Sequence, residues 1–268
     1  MRYFLFSCFL FLLTLSSSIF ADGLWYFSWG YSKDYWTDSD IHISQPSLNN
    51  DFTVQMVKAS DDPGWNTGLF NKSLMSPQYN FRLGRFFDKA HTWGLEINFD
   101  HTKYNNYPYQ YAYVSGTING VSSSSTQVLT PTYFKYFLHN GFNSLMINGV
   151  RRKPLFTIPH THMIVAGIAK IGAGILLPHP ENTIFGNAVD VGPKEWGNYF
   201  GWRNGWWQVG GWTAGVEYGF QLNLSRLFYL EFTDKEAYNR VSDIQVYSGR
   251  ADQEVWLNEL ILSVGVNF

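Results

Sequence analysis

The stretch WTAGVEYGFQLNL, Trp212–Leu224, divides into two faces. Trp212, Ala214, Val216, Tyr218, Phe220, Leu222 and Leu224 form one face; Thr213, Gly215, Glu217, Gly219, Gln221 and Asn223 form the other. A two-residue period is that of a strand with one apolar side. Ordinary strands end after about 5–6 residues, so so long an alternation points to a strand that crosses something thick.

The same pattern recurs along the chain. TWGLEINFD sets Trp93, Leu95, Ile97 and Phe99 against Gly94, Glu96, Asn98 and Asp100. QYNFRLG opposes Tyr79, Phe81 and Leu83 to Asn80, Arg82 and Gly84, and FYLEFT opposes Phe228, Leu230 and Phe232 to Tyr229, Glu231 and Thr233. LWYFSWGYS gives Trp25, Phe27, Trp29 and Tyr31 against Tyr26, Ser28, Gly30 and Ser32. Crossings are expected at 24–33, 78–87, 92–104, 142–152, 161–177, 206–224, 227–238 and 254–268. Long connections are expected at 34–77, 105–141, 178–205 and 239–253, and short ones near 88–91, 153–160 and 225–226. Loop 34–77 has room for its own hairpin, from DIHIS and DFTVQMVKAS, and SSSST at 122–126 reads as a flexible loop tip.

MRYFLFSCFLFLLTLSSSIFA has a cation at Arg2, an apolar run from Tyr3 to Leu15 and a small residue at Ala21, the layout of a cleaved secretory signal over residues 1–21. The single cysteine, Cys8, would leave with it, so residues 22–268 carry no thiol chemistry. The formal charge of −2 gives no polybasic surface for nucleic acid. Aromatic residues make up 19% of the chain, yet no later stretch is apolar for long enough to cross a membrane as a helix. Hydrocarbon admits only helices and closed barrels, because every backbone polar group there needs a protein partner. The expectation is all-β: a single antiparallel, up-and-down transmembrane barrel of about eight strands in a Gram-negative outer membrane, with long extracellular loops and short periplasmic turns.

The chain stops on ELILSVGVNF, with Leu260, Leu262, Val264, Val266 and Phe268 at alternate positions. This segment resembles the carboxy-terminal signature of bacterial outer-membrane barrels, which implies recognition by the barrel-assembly machinery. The whole arrangement resembles small eight-stranded outer-membrane proteins. A barrel that narrow is filled by its own side chains. The inward charges Arg82, Glu96, Asp100, Lys170, Glu217, Glu231, Lys235 and Glu259 should therefore pair into a plug, with Glu217 approaching Lys235.

With the lumen plugged, function falls to the loops. LHNGFNSL resembles the His-x-Ser-Asn segment of outer-membrane lipid A deacylases and of the outer-membrane phospholipase, whose serine nucleophile lies two residues after the histidine. Gly141 stands there, so the activity does not carry over; His139 and Ser144 are the remaining catalytic candidates. Asp38, Asp40 and His42 alternate and are candidate metal ligands. Trp202, Arg203, Trp206 and Trp207 are candidates for contact with lipid or lipopolysaccharide. No cofactor motif is found. The expected protein is a monomeric structural or surface-binding barrel without catalysis; the alternatives are a lipid A or phospholipid acyl hydrolase at the outer rim and a passive conduit for small apolar solutes.

Overall fold

The computed structural model describes residues 23–64, 77–189, 191–192, 194–201 and 205–268. The signal segment 1–21, with Cys8, and the candidates Trp202 and Arg203 lie outside the described residues. The main strands are β1 (Leu24–Trp36), β2 (Ser39–Gln45), β3 (Asn50–Val57), β4 (Tyr79–Phe86), β5 (Trp93–Asn106), β6 (Tyr111–Ile118), β7 (Val121–Val128), β8 (Phe137–Thr157), β9 (Ile164–Pro178), β10 (Gly211–Asn223), β11 (Phe228–Val246) and β12 (Gly249–Asn267).

Eight of them pair antiparallel in the order β1, β4, β5, β8, β9, β10, β11, β12, and β12 pairs back onto β1. In that last seam Tyr26 stands opposite Asn267 and Trp36 opposite Leu257. Backbone hydrogen bonds between Trp25 and Phe268 fasten its end. The alternation read from the sequence sets which side chains face in: Glu96, Glu217 and Asp100 are buried, while Leu95, Ile97, Val216, Phe220, Leu262 and Val264 are exposed on the outside.

The two ends differ. At one end the start of β1, the end of β12 and three short turns gather, at 87–92, 158–163 and 224–227. At the other the strands run on. β11 and β12 were expected to stop at a long loop over 239–253; instead they stay paired to Val246 and Gly249, across a bulge between Val241 and Ile244. Val241, Ile244, Val246, Ala251 and Val255 keep an apolar face buried along that extension, which is why it remains a sheet. After a break at 37–38 the chain returns to the same edge of β12 as β2, and β3, β6 and β7 follow in order. The hairpin within 34–77 is thus β2–β3. The SSSST segment is not a loop tip but most of β7, paired residue for residue with β6.

At the turn end, Asp88 organises the connection between β4 and β5. Its carboxylate accepts the backbone N–H groups of Thr92 and Trp93, both at 2.8 Å, and the Thr92 hydroxyl at 2.7 Å. The Trp93 N–H, foremost among these bonds, holds the Asp88 carboxyl down at about 2. A lowered folded-state pKa gives a stabilisation that is complete above the unfolded value and lost as pH falls through about 2. Asp88→Asn should therefore loosen this turn at neutral pH and remove that acid-dependent step, read as faster amide exchange at Thr92 and Trp93 in detergent-solubilised protein.

Candidate functional site

The lumen is layered. Nearest the turn end, Tyr26, Phe86, Val150, Ile168 and Tyr229 pack together across it. Two glycines make this possible. A Cβ on Gly84 would lie 2.2 Å from the Tyr26 ring, and one on Gly265 would lie 2.0 Å from the Tyr229 ring. These glycines accommodate tyrosine rings rather than ion pairs.

Above that layer lie the charges. Arg82 reaches Asp100 at 2.5 Å, Glu217 at 3.4 Å and Glu96 at 3.6 Å. Lys170 reaches Glu231 at 2.9 Å, Glu217 at 3.0 Å and Glu96 at 3.2 Å. Lys235 pairs with Asp100 and, at 3.0 Å, with Glu259. Tyr26 donates to Glu96 at 2.9 Å and Asn148 to the other oxygen of the same carboxylate at 3.1 Å. All eight charged residues singled out in the sequence are buried and joined into this one network. One expected contact differs. Glu217 does stand opposite Lys235 in the β10–β11 register, but it also stands opposite Lys170 in the β9–β10 register and bonds that lysine instead. Lys235 turns toward β5 and β12. Two sequence neighbours were missed: Asp34 and Asn80, both buried in the same cavity and identifiable by their inward parity.

The extended end of the lumen is filled by a second apolar core. It includes Ile41, Ile43, Phe52, Val54, Tyr104, Phe142, Leu176 and Val255, drawn from ring strands and outer sheet alike. The ionic network thus lies between two apolar layers.

The catalytic candidates do not meet. His139 lies on the outer side, 3.1 Å from the Asn105 amide nitrogen and 3.5 Å from Asp62. Burial lowers its pKa, the nearby Lys103 acting in the same direction. Ser144 faces inward and donates to Asp100 at 3.4 Å. The β8 pleat puts the two on opposite sides of the wall, so His139 cannot serve as the base for this hydroxyl. The metal candidates diverge too. Asp40 accepts the Met56 N–H at 2.8 Å, and His42 bonds Asp51 at 3.0 Å. Among the described residues no group of three or more His, Cys, Asp or Glu is placed to hold a metal.

Trp207 is buried against protein, and Trp206 is half-buried. Trp207 is 8% exposed, lies 5.6 Å from the Phe99 ring and 5.0 Å from Tyr199, and donates its indole N–H to the Asn140 carbonyl. Trp206 stacks on His179 at 3.9 Å, and the His179 Nδ1 lies 2.7 Å from the Trp206 carbonyl. Trp207 lies over outward-facing Phe99, while outward-facing His101 and Asn143 are joined to each other at 2.6 Å. Outward Asn143 and His101 were the sequence signal for such a cover, since lipid leaves them unsatisfied.

No protein-family model matches the chain, and no curated protein matches it. Solved structures of small outer-membrane β-barrels are similar to it. The attachment invasion locus protein Ail of Yersinia pestis, in complex with sucrose octasulfate, is 14% identical with a TM-score of 0.31, over 92% of this chain and 99% of that one. The outer membrane protein AlkL is 12% identical with a TM-score of 0.35, over 92% and 90%. Neisserial surface protein A is 10% identical with a TM-score of 0.35, over 92% and 97%.

Removing Arg82 leaves three buried carboxylates short of their cation. Arg82→Met should cost about 3–5 kcal/mol, the usual loss for breaking a buried pair from one side. Urea unfolding in detergent micelles would measure it, and Arg82→Lys should recover part of the loss.

Proposed function

We propose that this chain is an exported outer-membrane β-barrel that conducts nothing through its centre and works at its outer surface as a binding protein. The observation that carries this reading is the layered lumen. A tyrosine-rich layer, a paired ionic layer and an apolar core follow one another along the axis, leaving solute no polar route.

The membrane assignment rests on the outside of the ring. Trp25, Phe27, Leu83, Leu95, Ile97, Ile147, Ile171, Val216, Phe220, Phe232, Leu262 and Val264 are all exposed. A water-soluble protein rarely shows so continuous an apolar surface, and a bilayer accepts it. About 9–11 residues of a tilted strand span the hydrocarbon, whereas β11 and β12 are 19 residues each. The surplus length rises beyond the membrane at the end away from the three short turns. Short turns then fall in the periplasm and the sheet extension on the cell surface. Leu260, Leu262, Val264, Val266 and Phe268 would serve the assembly machinery as its recognition strand.

Binding is assigned to the extension because of what it exposes. Tyr107, Tyr109, Tyr111 and Tyr113 alternate along the chain and are 49%, 65%, 76% and 43% exposed. On β7, Thr126 stands opposite Tyr113, and the Ser124 hydroxyl hydrogen-bonds the Tyr113 hydroxyl. Exposed tyrosines among hydroxyls suit partners with flat apolar faces and many hydroxyl groups, such as the sugars of surface lipopolysaccharide. Against the hydrolase alternative, His139 and Ser144 lie on opposite sides of the wall; against the conduit alternative, the described residues fill the lumen with packed side chains.

Reconstituted protein in planar bilayers should give no stable conductance steps, and lipid A and phospholipid profiles should be the same with and without it. Large steps would discard the sealed lumen; a missing acyl chain would restore the hydrolase. Replacing Tyr109 and Tyr111 by serine should weaken binding to immobilised lipopolysaccharide while leaving the barrel folded; undiminished binding would remove the assignment to this face.

A further inference from the structure

The ionic layer is not balanced. Within it Arg82, Lys170 and Lys235, with half-buried Arg152 at the turn end, face six carboxylates: Asp34, Glu96, Asp100, Glu217, Glu231 and Glu259. Two negative charges have no cation of their own, and an uncompensated charge sealed from water is very costly.

Among the carboxylates of the layer, Asp34 is the one with neither an ion pair nor a hydrogen bond to its oxygens, and other unmatched oxygens lie beside it. Asp34 is 2% exposed, and neither of its carboxylate oxygens accepts a hydrogen bond. It stands directly opposite Glu259 in the β1–β12 register. Ser32 precedes it on the same inward face of β1, and its hydroxyl has no partner. Asn80, on the adjoining β4, donates its amide nitrogen to Glu259 Oε1 at 3.3 Å while its own carbonyl oxygen is free. Glu259 Oε2 is ion-paired to Lys235 but accepts no hydrogen bond. Elsewhere in the layer, nearly every carboxylate oxygen is met by an arginine, a lysine, an amide or a hydroxyl. Here, among the described residues, both Asp34 oxygens, Ser32 Oγ and Asn80 Oδ1 lack a hydrogen-bond partner and Glu259 Oε2 is met by Lys235 alone, on three adjacent strands.

We propose that Ser32, Asp34, Asn80 and Glu259 form a binding site for a hard divalent cation, calcium. The chemistry of the donors sets the choice: carboxylate, amide and hydroxyl oxygens, with no nitrogen or sulfur. Calcium accepts 6–8 oxygens in irregular arrangements, whereas magnesium demands a near-regular octahedron. One divalent ion also offsets the two unmatched charges. Only two carboxylates take part, so the site differs from a cluster of three acidic ligands. The apolar layers above and below leave no entry path in the folded protein, so the ion is taken up as the ring closes and its binding energy becomes folding energy.

The test is to refold the protein from urea into detergent micelles in millimolar calcium or in EDTA, at neutral pH. Elemental analysis after gel filtration should find one calcium per chain, and the calcium-refolded protein should melt several degrees higher. Asp34→Asn should lose both the bound calcium and the difference in melting temperature, while folding in EDTA at least as well as the parent. Ser32→Ala, which keeps both carboxylates, should retain calcium more weakly. Absence of calcium from the parent, with stability rising instead as the pH is lowered from neutral, would overturn the site and assign the unmatched charge to bound protons. Equal calcium in parent and Asp34→Asn would place the ion elsewhere and equally overturn it.

Discussion

The seam between β1 and β12 is the constraint on which the rest depends. Until the first and last strands pair, the ring has two open edges of unsatisfied backbone groups. Once they pair, every ring strand has two neighbours and the wall has no edge. Closure also separates two environments by the pleat alone. Side chains one residue apart face either the apolar exterior or a narrow interior, so each strand carries its two solvents in alternate letters.

That alternation explains what could be read in advance. The inward set from Arg82 to Glu259 was legible because a period of two assigns each residue a side without knowledge of its partners. Partner choice was not legible. Glu217 stands level with both Lys170 and Lys235, one on each neighbouring strand, and sequence registers cannot say which ammonium turns toward it. The same parity that found the charges also separates His139 from Ser144, five residues apart, and the register shift between Leu138 and Phe142 leaves that parity unchanged.

The extended end was less legible for a different reason. Its strands are buried by tertiary packing, not by a lipid belt, so their alternation is short and interrupted. The run VSSSSTQV has neither apolar period nor β-branched density, and only pairing with β6 makes it a strand. Likewise Trp206 and Trp207 read as interfacial aromatics, although their rings satisfy contacts within the protein. Among the described residues the lumen is filled by packed side chains, and the sheet extends beyond the ring at one end.

The last strand belongs to both halves of the molecule: its lower part closes the ring on β1 and its upper part carries β2. These contacts join residues more than two hundred positions apart, a very non-local topology. The outer sheet is built outward from β2 through β3 and β6 to β7, so it has no template until the final segment of the chain arrives. Tyr107 to Tyr113 therefore take up their display only after the cylinder is complete. A molecule interrupted before Gly249 would lose its extended sheet together with its wall.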